Sequence, residues 1–484
     1  METTAIPQEP QFTGRFLVVG KPHASKETLS TLRDAAGLDI ASSRDFDEQA
    51  VTSEALEETD GVYFDEIGIA VISAQDAEQL DRVAAAESVG AAAGGPMLEP
   101  EQMMYALGED FGDYLRGFRD AANALADRYE RGAGSGGVAE APFAPQDMTA
   151  LVAGATWGLQ KTRVVVSAPL VQDRTGKGIR VAVLDTGMDL NHPDFAGRAI
   201  TSRSFISGEA VQDGHSHGTH CIGTACGPKA PAGVDRYGVA YEAEIFAGKV
   251  LSNGGSGADG GILGGINWAI ANKCEIISMS LGSPVSINDG GFSQAYENAA
   301  QAALAAGTLI IAAAGNDSRF GLKPVGRPAN CPSIMAVGAV DQNLARADFS
   351  NVTFHAPHGK VDIAGPGVGV FSSVPVAFGT HGSMSGTSMA TPHVAGIAAL
   401  HAQANAAHRG AALWQRLIAT AEAIGGQPAG HVGAGLVQAP WRRAVPPRPW
   451  WWYWFNRHFQ GQGDVPTAKA TGAPRGKAGK SRKS

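Results

Sequence analysis

Two kinds of hydrophobic pattern alternate over the larger part of the chain. Short apolar runs of strand length, such as those at residues 180–185 and 309–313, are separated by longer segments whose apolar residues recur at helical spacing. Strands that alternate with helices in this way are typical of a parallel sheet with helices on both faces. The pattern therefore predicts an α/β domain over residues 151–440.

A smaller unit with its own pattern precedes this domain. From Arg15 onward the chain shows a strand pattern, a helix pattern, two more strand patterns and a second helix pattern. This order predicts a small α+β unit of the ferredoxin-like βαββαβ type over residues 14–105, with its last strand near residues 89–97. Residues 1–13 are expected to form a flexible N-terminus.

Two further segments differ in composition from both units. Residues 106–150 contain a helical pattern and then a Gly-rich stretch that is typical of a flexible linker. Residues 441–484 are rich in Trp and Pro and then basic, with ten Lys or Arg against one Asp. The aromatic part of this tail leaves two interpretations open, which are contact with a membrane interface and packing on the preceding domain.

Composition narrows the class of protein. The chain has 484 residues, of which 63 are Gly and 18% are charged. These values favour a globular protein with many tight turns over a disordered chain or a coiled coil. The formal net charge is −9, and the basic tail makes the rest of the chain more acidic than this total suggests.

The N-terminal sequence and the cysteines bear on location. The first residues lack a basic start followed by an apolar run, so no secretory signal is visible and we expect a cytoplasmic protein. Secretion by a non-standard route is the alternative. No stretch reaches the roughly 18 apolar residues of a membrane span. Four cysteines are too few for a disulfide framework, and we expect reduced thiols at Cys221, Cys226, Cys274 and Cys331.

Four polar residues stand at the ends of predicted elements in an arrangement that suits nucleophilic catalysis. Asp185 ends one predicted strand and Asn316 follows another, and the carboxyl ends of parallel strands meet at one edge of a sheet. His217 and Ser388 each begin a predicted helix. A serine hydroxyl needs a base, and the base needs a partner that fixes its tautomer. We therefore expect an Asp-His-Ser triad, with the Asn side chain as a donor to the oxyanion.

The motifs that carry these residues add a family resemblance. AVLDTG, HGTH, AAAGN and GTSMATPHVAG occur in this order between Thr156 and Ala439, and together they resemble the subtilisin-like serine proteases, or subtilases. Cys221 directly follows HGTH and resembles the free thiol beneath the catalytic histidine in the proteinase K-like branch. The resemblance implies a subtilisin-like fold and a serine endopeptidase that needs no cofactor for its chemistry.

The resemblance also implies binding sites outside the triad. Two strand segments and the stretch before Asn316 match the family's substrate-binding residues, which here are Gly255, Ser256, Gly257, Ser280, Leu281, Gly282, Ala314 and Gly315. The strand segments would bind an extended peptide by β-strand addition. Asp194 matches a carboxylate that binds structural calcium in many members, although the usual partner loop is not reproduced. Asp259 stands where many members have an aromatic wall of a distal substrate pocket.

The small N-terminal unit resembles the inhibitory prodomain of the family. This implies a self-inhibited zymogen whose partners are protein or peptide substrates and its own prodomain, and we expect no nucleic-acid partner. Self-cleavage is expected in the linker between Arg131 and Ala150. Two alternatives are a peptide ligase or macrocyclase that uses the same acyl-enzyme, and a non-catalytic peptide-binding module that retains the fold.

Overall fold

This computed structural model describes residues 7, 9–20, 30–35, 37–51, 59–73, 97–107, 109–110 and 154–443. The strands of the N-terminal part are β1 (Phe12–Val19), β2 (Ile40–Ser42), β3 (Gly61–Phe64), β4 (Ile69–Ile72), β5 (Met97–Ala106) and the two-residue β6 (Glu109–Asp110). Its helical turns are a π-helical turn at Thr31–Ala35 and 3₁₀ turns at Ser43–Asp45 and Asp47–Gln49.

The N-terminal sheet is mostly antiparallel. β1 lies between β4 and β5 and is antiparallel to both, while β3 pairs antiparallel with β4 and parallel with β2. Its last strand, β5, lies later in the chain than residues 89–97, where the sequence predicts it. The reason is that β5 pairs with strands of the large domain as well as with β1, and its own sequence has no strong apolar alternation.

Several predicted segments lie outside the described residues. They are the second helix of the N-terminal unit at residues 74–86, the helix and Gly-rich linker within residues 111–150, and the tail from residue 444. Of the N-terminus that is predicted to be flexible, residues 7 and 9–13 are described, and β1 begins there at Phe12.

The large domain alternates strands and helices. In chain order its elements are α1 (Trp157–Lys161), β7 (Leu170–Val171), β8 (Arg180–Asp185), β9 (Ile200–Ser204), α2 (His217–Cys226), β10 (Glu244–Lys249), β11 (Ser256–Ala258), α3 (Asp259–Ala271), β12 (Ile276–Met279), β13 (Leu281–Gly282), α4 (Gln294–Ala306), β14 (Leu309–Ala313), β15 (Met335–Val340), β16 (Ile363–Pro366), β17 (Val370–Ser373), β18 (His381–Ser385), α5 (Thr387–Ala404), α6 (Gly410–Thr420), α7 (Ala429–Val432) and β19 (Arg442–Arg443). Short 3₁₀ turns lie at Pro193–Phe195, Ser318–Phe320 and Val376–Phe378.

Seven of these strands form one parallel sheet in the order β16-β15-β14-β12-β8-β10-β9. Successive side chains of a strand point to opposite faces, and β8 shows the result. Val181 and Val183 join a core with α2 and α5, whereas Ala182 and Leu184 join a second core with α3 and α4. Burial on both faces explains why the strands are nearly continuous apolar runs, and it confirms the predicted α/β fold.

The N-terminal sheet packs with one face on the large domain. Leu17, Phe64 and Val71 belong to the same buried cluster as Ile262 and Leu263 of α3. On the other face, residues such as Val18 and Tyr63 pack in a separate cluster with Leu32. The alternation along β1 therefore places the N-terminal unit on the α3 and α4 side of the parallel sheet. No helix among the described residues is long and apolar enough to cross a membrane.

Candidate active site

Asp185 and His217 form a buried hydrogen-bonded pair at the carboxyl edge of the parallel sheet. Asp185 is the last residue of β8, and His217 is the first residue of α2. The Nδ1 atom of His217 lies 2.7 Å from Oδ1 of Asp185, and that oxygen also accepts the N–H of Thr186 at 2.7 Å. Each partner is only about 1% exposed. The pairing leaves Nε2 of His217 as the nitrogen that can accept a proton.

A second carboxylate holds the start of α2 in place. Asp213 accepts the N–H groups of His215 and Ser216 at 2.9 Å, and that of Thr219 at 2.8 Å. These bonds satisfy donors that a helix N-terminus otherwise leaves unpaired. A glycine is required at position 218, next to His217, because a Cβ there would lie 2.2 Å from the carbonyl oxygen of Gly187. Sequence analysis missed Asp213, although an Asp just before a helix start is a capping signal.

The charge of Asp185 sets the pKa of the histidine. Burial by itself lowers the pKa of His217, but the negative charge and hydrogen bond of Asp185 outweigh burial and raise the pKa well above 6.5. The neighbouring histidines behave differently. Burial lowers the pKa of His220 to about 3 and that of His393 to about 4, and each ring bonds a backbone carbonyl. These two residues therefore pack locally, and of the three histidines only His217 has a carboxylate partner.

Ser388 is the second residue of α5 and is fully buried. Its hydroxyl donates to the carbonyl oxygen of Ser280 at 3.1 Å. Within the described residues Nε2 of His217 has no hydrogen-bond partner, so the serine proton has a buried and unoccupied acceptor in the same site. Catalytic hydrogen bonds often tighten only when the reacting group is in place.

Asn316 is oriented by its neighbours toward the peptide that occupies the cleft. Its Oδ1 atom accepts from the backbone N–H of Thr387 at 2.9 Å and from the Thr387 hydroxyl at 2.8 Å. Its Nδ2 atom donates a short hydrogen bond to the carbonyl oxygen of Leu107. A fixed amide donor on a peptide carbonyl is the arrangement that stabilises an oxyanion.

The peptide in the cleft belongs to the chain itself and comprises the described residues 97–107 and 109–110. β5 lies between two edge strands of the large domain and pairs antiparallel with β11 and β13. Ala106 donates its N–H to Gly255 at 2.9 Å, and Leu107 donates to Ser280 at 3.2 Å. Beyond Leu107, β6 pairs antiparallel with β18, the strand that leads into Ser388. The chain therefore passes through the cleft on both sides of the serine.

The predicted substrate-binding residues divide into two groups. Gly255, Ser256, Gly257, Ser280, Leu281 and Gly282 all lie along β5 or Leu107. The other two do not contact β5 in this way: Ala314 accepts the N–H of Gly326, and Gly315 donates its N–H to the Thr387 hydroxyl at the start of α5. Gly282 also gives room for a side chain, since a Cβ added there would lie 3.1 Å from Cδ1 of Leu107. Sequence analysis did not identify Leu107, because its role depends on partners in another unit.

Two glutamates of β5 bind the N-termini of two helices. Glu99 accepts the N–H groups of Gln294 at 2.6 Å and Ala295 at 3.2 Å, at the start of α4. Glu101 is fully buried, accepts the N–H of Gly260 at the start of α3 at 2.8 Å, and pairs with Arg15 at 2.7 Å. Carboxylates are favourable at helix N-termini because the free N–H groups and the helix dipole attract negative charge. These contacts hold β5 across the cleft.

Cys221 lies beneath the candidate base, as the family resemblance implies. Its Sγ atom is 3.9 Å from Nδ1 of His217 and 3.5 Å from the carbonyl oxygen of Ser388. The side chain is fully buried, and burial raises the pKa of its thiol to about 11. The thiol is therefore protonated at neutral pH and packs against the triad without acting as a nucleophile.

Asp194 lies in a different cluster from the triad. Its Oδ2 atom accepts a short hydrogen bond from the Tyr237 hydroxyl and another from Nε2 of His381 at 2.8 Å. His192 is adjacent, and its Nε2 atom lies 2.8 Å from the carbonyl oxygen of Thr380. The cluster joins the loop after β8 to the start of β18.

Comparison with known proteins connects this geometry to a family. A model described as "Subtilase family" matches residues 176–435. The chain belongs to the subtilase family. It is 40% identical over 277 residues to Subtilisin NAT of Bacillus subtilis subsp. natto, which is 56% of this chain and 68% of that protein. It is 40% identical over 296 residues to M-protease of Shouchella clausii (strain KSM-K16), which is 60% of this chain and 71% of that protein. It is also 40% identical over 277 residues to Subtilisin of Bacillus pumilus, which is 56% of this chain and 94% of that protein.

This subtilase is a serine endopeptidase, and its catalysis needs no cofactor. Neither the ligase nor the non-catalytic binding module is favoured by these relatives. In the reaction that we propose for Asp185, His217, Asn316 and Ser388, Oγ of Ser388 adds to the carbonyl carbon of the residue before the scissile bond while its proton passes to Nε2 of His217. Asp185 stabilises the imidazolium, and Nδ2 of Asn316 donates to the oxyanion. His217 then protonates the leaving amine, the C–N bond breaks, and water hydrolyses the resulting ester by the same steps.

Proposed function

We propose that this endopeptidase is made as a self-inhibited precursor, and that its first cleavage breaks the Leu107–Gly108 peptide bond. The observation that carries the proposal is the hydrogen bond from Nδ2 of Asn316 to the carbonyl oxygen of Leu107. The substrate of this step is the chain itself. The N-terminal unit then stays on the cleft as an inhibitor until it dissociates or is degraded.

Two further observations support cleavage at this bond. The chain is paired with the enzyme on both sides of the bond, by β5 before it and by β6 after it. Ser388 has no exposed surface while these strands are present, so an external peptide cannot reach the nucleophile without displacing them. The cleavage predicted between Arg131 and Ala150 lies outside the described residues. It stays a prediction.

Intact masses of purified proteins test the proposal. Wild type is expected to give fragments of residues 1–107 and 108–484, and Ser388→Ala a single full-length chain. Leu107→Asp is a second variant that leaves the triad intact, and it should slow cleavage at this bond because the Leu107 side chain is only 4% exposed, beside Gly282. A full-length wild type with full activity would show that the N-terminal unit is a permanent accessory domain.

The family resemblance also implies a structural calcium at Asp194. The groups around this carboxylate do not fit a calcium site. Calcium takes about six to eight oxygen ligands. The groups that contact Oδ2 of Asp194 are a tyrosine hydroxyl and an imidazole nitrogen, and both are hydrogen-bonded to it. We propose that Asp194 instead holds the start of β18. A chelator should then leave the melting temperature unchanged, whereas a large decrease that calcium reverses would contradict this assignment.

We also propose that the protein resides in a reducing compartment such as the cytoplasm. All four cysteines are free and buried, so the fold does not depend on a disulfide. Alkylation of the denatured protein taken directly from cells should modify four thiols. A disulfide in that material would contradict the proposal.

A further inference from the structure

Recognition of the peptide in the cleft continues beyond the two edge strands. β11 is paired with β5 as far as Met103. The next residue toward the N-terminus, Gln102, donates its backbone N–H to Oδ2 of Asp259 at 2.8 Å. Gln102 is the sixth residue counted back from the bond that follows Leu107.

We propose that Asp259 forms a further substrate subsite, in which its carboxylate accepts the backbone N–H of the sixth residue before the scissile bond. The ligand is an extended peptide of at least six residues on this side of the cleavage point. The proposal rests on the proposed function, because residues 97–107 are taken to occupy the cleft as a substrate does.

The carboxylate is held rigidly for this contact. Asp259 is the first residue of α3 and is fully buried. Its Oδ1 atom accepts from the Tyr296 hydroxyl at 2.9 Å, and its Oδ2 atom also accepts from Nη2 of Arg327 at 2.8 Å. The Arg327 guanidinium lies over the Tyr296 ring, 5.3 Å from its centroid. Because its neighbours already fix its position, Asp259 loses little conformational freedom when a peptide binds.

Burial raises the pKa of the Asp259 carboxyl to about 6, and the charge of Arg327 opposes this rise, so the acceptor is ionised above that pH. A buried carboxylate is costly unless it is paired with a cation and hydrogen-bonded, and Arg327 supplies the cation at this site. A peptide N–H that bonds such an acceptor makes a charge-assisted hydrogen bond, which is stronger than a bond between two neutral groups. The second carboxylate nearby, Glu101, is engaged with Arg15 and the N–H of Gly260. Asp259 is therefore the acceptor for the sixth residue.

This subsite recognises the backbone more than the side chain. Gln102 borders a cavity of about 740 Å³ between the N-terminal unit and the loop at residues 283–293. That volume accommodates side chains of different size, whereas the N–H contact is the same for every residue except proline. Substrates with proline at the sixth position should therefore be disfavoured.

A matched pair of peptides isolates the contact. The substrate has the sequence of residues 101–110, and in its partner the glutamine is replaced by the α-hydroxy acid, so that an ester oxygen replaces the N–H. With enzyme purified from the full chain and activated, the ester should lower kcat/KM for Leu–Gly cleavage about tenfold, as expected for loss of a hydrogen bond to a charged group. In Asp259→Ala the amide and ester peptides should be cleaved equally well.

The control places the same ester one residue later. In the structure the N–H of Met103 donates to the carbonyl oxygen of Gln11, a partner that a free peptide lacks. An ester at this position should therefore change kcat/KM by the same factor in wild type and in Asp259→Ala. If Asp259→Ala fails to fold, Asp259→Asn keeps the shape and should give a smaller difference between amide and ester. The subsite is overturned if wild type cleaves the amide and the ester equally well. It is also overturned if the ester lowers kcat/KM in Asp259→Ala by the same factor as in wild type.

Failure of the subsite and failure of the proposed function give different results. If the precursor does not cleave itself at Leu107–Gly108, the intact masses show it, and the register of the cleft peptide is wrong. If the masses show that cleavage and the decapeptide is cut at Leu–Gly without any amide preference, only the role of Asp259 is overturned.

Discussion

We expect Glu99→Ala to weaken the binding of the N-terminal fragment to the catalytic domain after self-cleavage. The side chain accepts two backbone N–H groups at the start of α4, from Gln294 at 2.6 Å and Ala295 at 3.2 Å, and the Ser293 hydroxyl at 2.7 Å. A carboxylate at a helix N-terminus contributes about 0.3–1 kcal/mol at the surface and up to about 2 kcal/mol when partly buried. Hydrogen bonds to a charged group contribute about 1.5–3 kcal/mol.

These contributions overlap, because water replaces the carboxylate at the freed N–H groups. We therefore take about 2–3 kcal/mol for the whole side chain, which corresponds to about 30- to 150-fold weaker binding. The triad is not touched, so the rate of self-cleavage should change much less than the affinity of the fragment.

The assay is dilution of the self-processed complex, with the return of activity followed on a chromogenic peptide. The concentration at which half the activity returns gives the apparent dissociation constant. Glu99→Gln should fall between wild type and alanine, because the amide keeps one oxygen acceptor and loses the charge. Asp39→Asn is the control, since Asp39 is an exposed acid of the same unit. A dissociation constant for Glu99→Ala within twofold of wild type would refute the reasoning.

Three further predictions concern the triad and its surroundings. Asn316→Ala should lower kcat about 100- to 1000-fold with little change in KM; an effect mainly on KM would speak against the oxyanion role. His217 must be neutral to accept the serine proton, so kcat/KM should fall as the pH falls through its pKa, which lies above 6.5. Asp185→Asn removes the charge that raises this pKa, so in the variant the fall of the remaining kcat/KM on the acidic side of the pH profile should occur at lower pH. An unchanged pH profile would contradict the role of Asp185 as the charge partner of His217. A mercurial should inhibit wild type and Cys226→Ala but not Cys221→Ala, and equal inhibition of all three would place the sensitive thiol elsewhere.

The parallel sheet and the triad could be predicted because their signals are local. β8 and β14 are apolar runs that need burial on both faces, and Asp185 and Asn316 follow them directly. The motifs around His217 and Ser388 contain glycines that permit close approach, and Gly218 shows why, since a Cβ there would meet the backbone of Gly187 at 2.2 Å. Each of these features can be recognised within about ten residues of sequence.

The occupant of the cleft could not be predicted, because it depends on long-range partners. β5 has no regular apolar alternation, and its contacts in the cleft are with α3, α4, β11 and β13, which lie far away in the sequence. Leu107 has no local signal that distinguishes it from other leucines. Asp259 could be recognised as a departure from the family pattern, but its contacts with Arg327 and Gln102 span 68 and 157 residues of sequence.

Ser388 is expected to cleave the Leu107–Gly108 bond of its own chain. The most direct test is the rate at which the fragment ending at Leu107 appears, measured by intact mass over a hundredfold range of protein concentration. Cleavage within one chain predicts a first-order rate that does not depend on concentration, together with a new N-terminus at Gly108. A rate that rises in proportion to concentration, or a first fragment that ends elsewhere, would contradict the placement of Leu107 in the active site of the same molecule.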